Sequence, residues 1–297
     1  MFSTELFTQT LISGLMIGVL YALMALGITF IYSIVRMINL AMGEFYMLGS
    51  YIQYVAVAYA LGPKLWWLAV IISTAGTFLI GYLIEPILIK PMHARAMERR
   101  DDYATVVTIA LLLMLRSLAV AIGGPYQFRP ETNLPIMWVG PLPMEGARVA
   151  ACLCALLALA LFYVVMSKTW MGLALRATAQ NRVAAQTSGV DVFRLDAVAF
   201  GIGVALAGLA GALLAPLFLV YPTNGVVTTV KGFEIIVIGG LGSIPGALIG
   251  GLLLGVVESL GAAFISSPYQ NAYGFVLVLL VLMVRPYGLF GERGREA

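Results

Sequence analysis

Few residues in this chain are of the types that carry out chemistry. Its only histidine, His93, lies in a polar segment, so neither a histidine-dependent catalytic triad nor a histidine metal cluster is predicted. The chain also lacks the G-xxxx-GK-[ST] loop with which many ATPases hold the phosphates of ATP. Cys152 and Cys154 are two residues apart in an apolar stretch, so on a helix they face different directions. The sequence therefore predicts no catalytic site and no metal site here.

The charged residues that lie inside apolar stretches include Glu44, Arg116, Glu234 and Glu258. A charge in that environment is costly unless it faces a partner or a water-filled space. We expect Arg116 to face other helices, to snorkel, or to meet one of the three glutamates. Glu44 has two interpretations, a structurally paired carboxylate, which we favour, and a group that lines or gates a substrate path.

Two polar or glycine-containing stretches surround these glutamates. Asn39 and Gly43 precede Glu44 and, four residues apart, are predicted on one helix face. After Glu234 a glycine-rich sequence predicts a break in the helix. It contains Gly239, Gly240, Gly242 and Ser243. Exposed backbone groups at such a break can bind a cation, but a tight turn is the interpretation we favour. Both stretches and Glu258 are candidates for the translocation path or its gate.

The elements that position these residues are predicted to be membrane helices. The chain has 297 residues, of which 61% are hydrophobic and only 10% are charged. A soluble protein with so few charges could not cover its surface, and the mean hydropathy is +0.99. The net charge of +3 is small, so binding to nucleic acid is not predicted.

The apolar stretches predict an all-α, polytopic membrane protein with eight full transmembrane helices and one short or re-entrant helix. The full spans are predicted at about 9–34, 38–60, 65–89, 104–122, 148–166, 195–220, 245–265 and 270–286. The short run is 229–241, and the whole chain is predicted to form a single domain. Gly14, Gly18 and Ala22 recur every four residues, and 205–211 reads ALAGLAG, so both stretches predict close helix packing.

The distribution of basic residues predicts the orientation. Twelve fall in one set of loops: Arg36, Lys90, Arg95, Arg99, Arg100, Lys168, Arg176, Arg182, Arg194, Arg285, Arg293 and Arg295. Four fall in the other set: Lys64, Arg129, Arg148 and Lys231. The positive-inside rule then places the N-terminus in the periplasm and the C-terminus in the cytoplasm. The proline-rich connection 123–148 is predicted to be a stiff outside loop, either a contact for a substrate-delivering protein or a plain cap.

Residues 167–194 form the longest stretch without an apolar span in the second half of the chain. Asn181 is the predicted N-cap of a short helix over 182–187, and Ser188-Gly189 is its predicted stop. The exposed residues of this segment are predicted to be small ones, namely Ala174, Ala177, Ala179, Ala184, Ala185 and Gly189. We interpret it as a knob that docks into a groove on a soluble partner. The alternative, a helix resting on lipid headgroups, requires a bulky apolar face.

This segment carries a spaced pattern that resembles the coupling segment of bacterial ABC importer permeases. The pattern consists of Gly172, Arg176, Ala177, Asn181, Ala184, Ala185, Ser188 and Gly189. The stretches at 36–51 and 239–258 resemble the same family, the branched-chain amino-acid permeases of the LivH type with their urea and amide relatives. The resemblance covers nearly the whole chain.

The resemblance implies a set of partners. The chain would pair with a second, related permease subunit (LivM-like), two cytoplasmic ATPase subunits and a periplasmic substrate-binding protein, within the lipid of the inner membrane. ATP and magnesium would be bound by the ATPases, with no cofactor in this chain. The solute would be a branched-chain amino acid or a similar small polar molecule. An ion-gradient-driven secondary transporter is the alternative, with Glu234 as the nearest candidate for its ion site.

Overall fold

The computed structural model describes residues 4–94, 99–139 and 142–291. Within them the chain is mainly helical. The helices are α1 (Thr4–Val35), α2 (Met42–Val55), α3 (Trp66–Ile84), α4 (Lys90–Ala94), α5 (Arg100–Gly123), α6 (Gly146–Lys168), α7 (Trp170–Gln180), α8 (Arg182–Thr187), α9 (Val192–Leu214), α10 (Asn224–Gly239), α11 (Ile244–Phe264) and α12 (Gln270–Val284). Arg95, Arg293 and Arg295, used above to predict the orientation, lie outside the described residues.

Seven helical segments in the described part of the chain are long and apolar enough to cross a membrane. They are Thr4–Val35, Pro63–Met92, Arg100–Gly123, Gly146–Lys168, Val192–Leu214, Ile244–Phe264 and Ser267–Val284. Large apolar side chains are exposed along α3, α5, α6 and α12, where lipid can cover them. The protein is therefore a polytopic membrane protein.

The centre of the bundle is formed by α1 and α9, most of whose residues are buried. The stripe predicted on the first span packs on α11. A Cβ added at Gly18 would lie 2.8 Å from Leu252 Cα, and one added at Gly251 would lie 2.6 Å from Ala22 Cα. Backbones this close leave no room for larger side chains, so the predicted close packing is confirmed.

A pair of substitutions tests the close contact between α1 and α11. Gly18→Ala is expected to lower the free energy of unfolding by about 1–3 kcal/mol, because its Cβ overpacks the α1–α11 contact. Gly76 lies on α3 with only Ile52 Cδ1 near its Cβ position, at 3.4 Å. Gly76→Ala should therefore stabilise the protein by roughly 0.5–1 kcal/mol through its helix propensity. Denaturant titration in detergent measures the change in the free energy of unfolding for each variant. If both variants change it in the same direction, the close packing at Gly18 is contradicted.

The ALAGLAG stretch of α9 also packs closely, as predicted. A Cβ at Gly49 of α2 would lie 2.5 Å from Gly208 Cα, and Ser73 on α3 donates to the Gly49 carbonyl oxygen at 2.7 Å. The bundle thus packs α2 and α3 against α9. The α9 helix ends at Leu214, two residues before Pro216, where a ring without an N–H donor favours the end of a helix.

The second predicted span differs from the observed structure. Its helix begins at Met42 rather than 38, and after Val55 it continues as π-helical turns to Leu61. Residues 37–39 have no regular secondary structure, and Met37 and Asn39 are buried. Irregular backbone of this kind is tolerated at membrane depth only where protein surrounds it. The prediction that Asn39 and Gly43 share a helix face is therefore wrong, because Asn39 precedes the helix.

Two further predictions need correction. The short run is α10, which begins at Asn224 rather than 229, so Lys231 lies inside a helix and not in an outside loop. The outside connection, predicted to be irregular, contains a two-stranded antiparallel sheet, β1 (Met137–Val139) with β2 (Leu142–Met144). It is also joined to the segment between α9 and α10 by the Phe128–Val220 bridge. Over residues 4–94, 99–139 and 142–291 the regular secondary structure is thus helical except for these two short strands.

The segments with most of the basic residues meet at one end of the bundle. Arg36 donates to the Ala179 carbonyl oxygen at 3.0 Å, and the Lys90 ammonium lies 5.4 Å from the Phe193 ring centroid. Ser33 Oγ, near the end of α1, donates to the Gly242 carbonyl oxygen at 3.1 Å. We call this the basic end of the bundle. The loop with Phe128 lies at the opposite end.

Candidate functional site

The helix pair α7–α8 protrudes at the basic end, and local sequence signals define its limits. The Thr169 hydroxyl accepts from the Gly172 N–H at 3.1 Å and caps α7. Asn181 Oδ1 accepts from the Ala184 N–H at 3.0 Å and caps α8 over Arg182–Thr187. Gly189 then has φ of 86°, a backbone conformation that glycine adopts without strain. The predicted N-cap, helix and stop are all confirmed.

Two contacts attach the helix pair to the centre of the bundle. The Arg36 guanidinium reaches the Ala179 carbonyl oxygen in the last turn of α7, which connects α7 to the end of α1. Arg182 on α8 forms an ion pair with Asp196 on α9, with Nη1 donating to Oδ1 at 3.1 Å. Asp196 is fully buried, and a buried carboxylate depends on its cationic partner. These two contacts therefore join α7–α8 to α1 and α9.

The exposed surface of the helix pair differs in part from the predicted one. Ala184 and Gly189 are exposed as predicted, and Ser188 is exposed as well, but Ala185 is only 4% exposed. Ala174, Ala177 and Ala179 are half-buried. The prediction of a surface of small residues is also wrong in another way, since Trp170 is 85% exposed and Val183 is 71% exposed.

The remaining residues of the sequence pattern differ in how far they are exposed. Gly172 is buried against the end of α6, and Arg176 is exposed with its Nε 3.4 Å from the Gly172 carbonyl oxygen. Asn181 is exposed at the junction of the two helices. The surface available to a docking partner is thus formed by α8 and the turn after it, and α7 contributes bulky apolar residues beside them.

Glu44 forms an ion pair with Arg116, whose partner the sequence alone did not determine. Arg116 Nη2 on α5 lies 2.7 Å from Glu44 Oε1, and Glu44 itself is fully buried. Asn39 Oδ1 accepts from the Ala41 N–H at 3.0 Å and so shapes the turn into α2. Gly43 contacts α10, since a Cβ at Gly225 would lie 2.6 Å from the Gly43 carbonyl oxygen. The contacts of these residues hold α2, α5 and α10 together.

Glu258 is paired with Lys231 rather than with Arg116. Lys231 Nζ lies 2.7 Å from Glu258 Oε1 and 2.5 Å from Oε2, and it donates to the Tyr21 hydroxyl at 3.1 Å. The three residues come from α10, α11 and α1, and the Glu258 carboxylate is almost completely buried. This cluster joins three helices inside the bundle.

One face of α10 is polar from its first residue to Glu234. It carries Asn224, Thr228, Lys231 and Glu234, at spacings of three or four residues. Glu234 is buried, and its Oε2 finds no hydrogen-bond donor in the described part of the chain. The first three residues of this polar face line a cavity of about 420 Å³, together with Tyr21 and Tyr46.

Of this face, the sequence predicts only Glu234 as part of the path. The helical spacing of Asn224, Thr228 and Lys231 carries a signal for the rest. The predicted short run begins at 229 and therefore leaves out the first two of these residues. Tyr21 and Tyr46 carried no such signal, because single tyrosines in apolar helices are common packing residues.

The glycine-rich break is a tight turn between α10 and α11. Gly240 and Gly242 have φ of 102° and 81°, which glycine adopts without strain. Ser243 Oγ accepts from the Gly246 N–H at 3.1 Å and caps α11. The chain near its C-terminus covers this turn, since the Leu289 and Phe290 N–H groups donate to the Ile238 and Gly239 carbonyl oxygens at 2.8 and 2.9 Å. Two carbonyl oxygens at the break therefore have partners within the chain.

Three comparisons with known proteins describe what the chain is similar to. A family model described as the permease component of branched-chain amino acid transport systems matches residues 10–284. The high-affinity branched-chain amino acid transport system permease protein LivH of Escherichia coli is 33% identical over 96% of each chain. BraD of Pseudomonas aeruginosa, a permease protein of the same description, is 34% identical over 96% of each. A probable LivH of Methanocaldococcus jannaschii is 29% identical over 92% of this chain and 89% of its own. No solved structure shows a significant match.

Proposed function

Because the chain belongs to the family of branched-chain amino acid transport permeases, we propose that it is the membrane-spanning permease subunit of a bacterial ABC importer. Its solute is a branched-chain amino acid or a similar small polar organic molecule. The observation that carries the proposal is the attachment of the protruding α7–α8 pair to α1 and α9, through Arg36 and through the Arg182–Asp196 ion pair.

The importer needs partners that supply energy and solute. We propose that two cytoplasmic ATPase subunits bind ATP and magnesium and receive α8 and the following turn on their surface. A second, related permease subunit completes the membrane part, and a periplasmic binding protein delivers the solute. In this assembly the basic end of the bundle is cytoplasmic, the N-terminus is periplasmic and the inner membrane surrounds the helices.

The mechanism is alternating access driven by the ATPases. Their closure displaces α7–α8, and the two attachments transmit the movement to α1 and α9 at the centre of the bundle. Since α1 also contacts α10 through the Tyr21–Lys231 hydrogen bond, the displacement reaches the polar face of α10. We propose this face as the wall of the translocation path, and Glu234 lies on it. The Glu44–Arg116 pair supports the helices beside it.

Reconstitution tests the proposal. The purified importer in liposomes is expected to take up radiolabelled L-leucine only when internal ATP, external binding protein and all subunits are present. Collapse of the proton and sodium gradients with ionophores should leave this uptake unchanged. Uptake that follows an ion gradient and ignores ATP would instead favour the secondary-transporter alternative.

A further inference from the structure

Glu85 carries a buried carboxylate without a hydrogen-bond partner. It is fully buried and begins the π-helical turns Glu85–Ile89 that follow α3. Among the carboxylates that the structure describes, it is the one with both oxygens buried and neither oxygen bonded to a donor. A buried carboxylate depends on a cationic partner, so a partner for Glu85 is expected in another arrangement of the helices.

The contact between α3 and α9 fixes the depth of this carboxylate. A Cβ added at Gly208 would lie 2.6 Å from Thr77 Cβ, and one added at Gly81 would lie 2.8 Å from Val204 Cβ. Each step of four residues along α3 toward the basic end is therefore a step of four residues back along α9. The next step places Glu85 opposite residue 200 of α9, which is fully buried.

A cluster of charges surrounds Glu85 at the base of α8. Asp196 lies four residues nearer to the basic end than residue 200 of α9, which is about 6 Å along the helix. Glu85 is within electrostatic range of Asp196, Lys90 and Arg182. The Lys90 ammonium lies 5.4 Å from the centroid of the Phe193 ring, at the start of α9. Arg182 donates to both oxygens of Asp196 and to neither oxygen of Glu85.

We propose that Glu85 is a second carboxylate for Arg182, and that it accepts the guanidinium when the ATPases displace α8 toward the bundle. The Arg182 side chain is 30% exposed and has room to move, whereas both oxygens of Glu85 are covered in the described position. A shift of about one helical turn carries the guanidinium from Asp196 to Glu85, and packed elements switch between two positions by steps of this size. The inference rests on the proposed function and extends it, because it gives the movement of α8 two defined end positions.

Lys90 balances the charge of this exchange. When Arg182 leaves Asp196, that carboxylate needs another cation, since an unpaired buried charge is strongly destabilising. The exposed Lys90 side chain lies on Phe193, three residues before Asp196 on α9. Each carboxylate then has a cation in the displaced position of α8. Glu85 is a positioning residue in this scheme, because it acts through Arg182 and touches neither the solute nor ATP.

Glu85→Gln separates this role from a structural one. The substitution removes the charge and keeps the shape, so ATP-driven uptake of radiolabelled L-leucine by the importer in liposomes should fall about tenfold or more, the factor that a charged hydrogen bond supplies. The unfolding temperature of the nucleotide-free importer should stay the same or rise, because Glu85 has no partner to lose in that state. Glu5→Gln, at an exposed position on α1, is the matched control and should transport as the wild type does. Unchanged uptake by Glu85→Gln, or a fall in its unfolding temperature, would overturn the inference.

A background without the Arg182–Asp196 pair identifies the partner of Glu85. Arg182→Met with Asp196→Leu replaces this ion pair by apolar side chains, a change that is often neutral for stability. The guanidinium is then absent from both positions of α8, so the background should still trap ADP with vanadate in the ATPases. Glu85→Gln is expected to lower the trapped ADP about tenfold in the wild type and less than about twofold in this background. Equal losses in the two, or no trapping in the background, would contradict exchange of Arg182.

The inference and the proposed function can fail separately. Wild-type uptake that ignores ATP refutes the proposed function, and the displaced position of α8 is refuted with it. ATP-driven uptake that is equally fast in the wild type and in a folded Glu85→Gln variant refutes only the inference.

Discussion

Ala184→Trp is expected to reduce ATP-driven uptake at least about tenfold while the subunit stays folded and inserted in the membrane. Ala184 is exposed on α8, so an indole ring there is not forced into the interior of the bundle. It would instead overpack the contact with the ATPase subunit, and overpacking of a close contact costs about 1–3 kcal/mol. A loss of about 1.4 kcal/mol in docking corresponds to a tenfold change in the equilibrium. ATP hydrolysis by the assembly should continue without uptake.

Two other tryptophan variants serve as controls for Ala184→Trp. Ala60→Trp places the same ring at an exposed position in the π-helical turns that follow α2, away from the basic end, and should leave uptake unchanged. Ala185→Trp enlarges a buried side chain, so it should reduce the amount of folded subunit rather than uncouple it. Uptake and ATP hydrolysis are measured on the same liposomes. Wild-type uptake by a folded Ala184→Trp variant would rule out docking through α8.

Lys231→Met is expected to lower the free energy of unfolding by about 3–5 kcal/mol. It leaves the Glu258 carboxylate, which is 1% exposed, without the ammonium group that lies 2.5 Å from its Oε2. An uncompensated buried charge of this kind is among the most destabilising results of a single substitution. Lys231 also joins α10 to α1 through the Tyr21 hydroxyl, so α10 should loosen from the bundle. Denaturant titration in detergent measures the change.

The double variant Lys231→Met with Glu258→Leu should regain most of the lost stability. Replacing a buried ion pair by apolar side chains of similar volume is often neutral or stabilising, in contrast to removing one partner. The exposed pair Arg99–Asp102 is the control, and Arg99→Met should change the free energy of unfolding by less than about 1 kcal/mol. A double variant as unstable as Lys231→Met alone would show that the charge pair is not the source of the loss.

Features that depend on neighbouring residues were predictable from the sequence. The Asn181 N-cap, the helix over Arg182–Thr187 and the turn at Gly189 follow from interactions within four residues. The small residues at Gly14, Gly18 and Ala22 identified a packing face by their helical spacing alone. Likewise, the long apolar stretches identified most of the membrane helices, because hydropathy is a local property of the chain.

Features that depend on how separate helices meet were not predictable in this way. The packing of α8 against the rest of the molecule decides that Ala185 is buried. Nothing in the sequence distinguishes Ala185 from its exposed neighbour Ala184. The start of α2 at Met42 is similar. The burial of Met37 and Asn39 within the protein allows the backbone before α2 to be irregular, whereas the apolar character of the stretch alone predicted a helix from 38.

The sequence by itself determined the class of protein, the family resemblance, the helical segments and the presence of costly charges inside them. Only the tertiary structure decided how those charges pair. Arg116 selects Glu44, which is 72 residues away, and Glu258 meets the Tyr21 hydroxyl across 237 residues. Three glutamates were equivalent partners for Arg116 in the sequence, because each satisfies the same electrostatic requirement. The choice among them follows from the packing of the helices, which places Glu44 of α2 beside Arg116 of α5 and Glu258 of α11 beside Lys231 of α10.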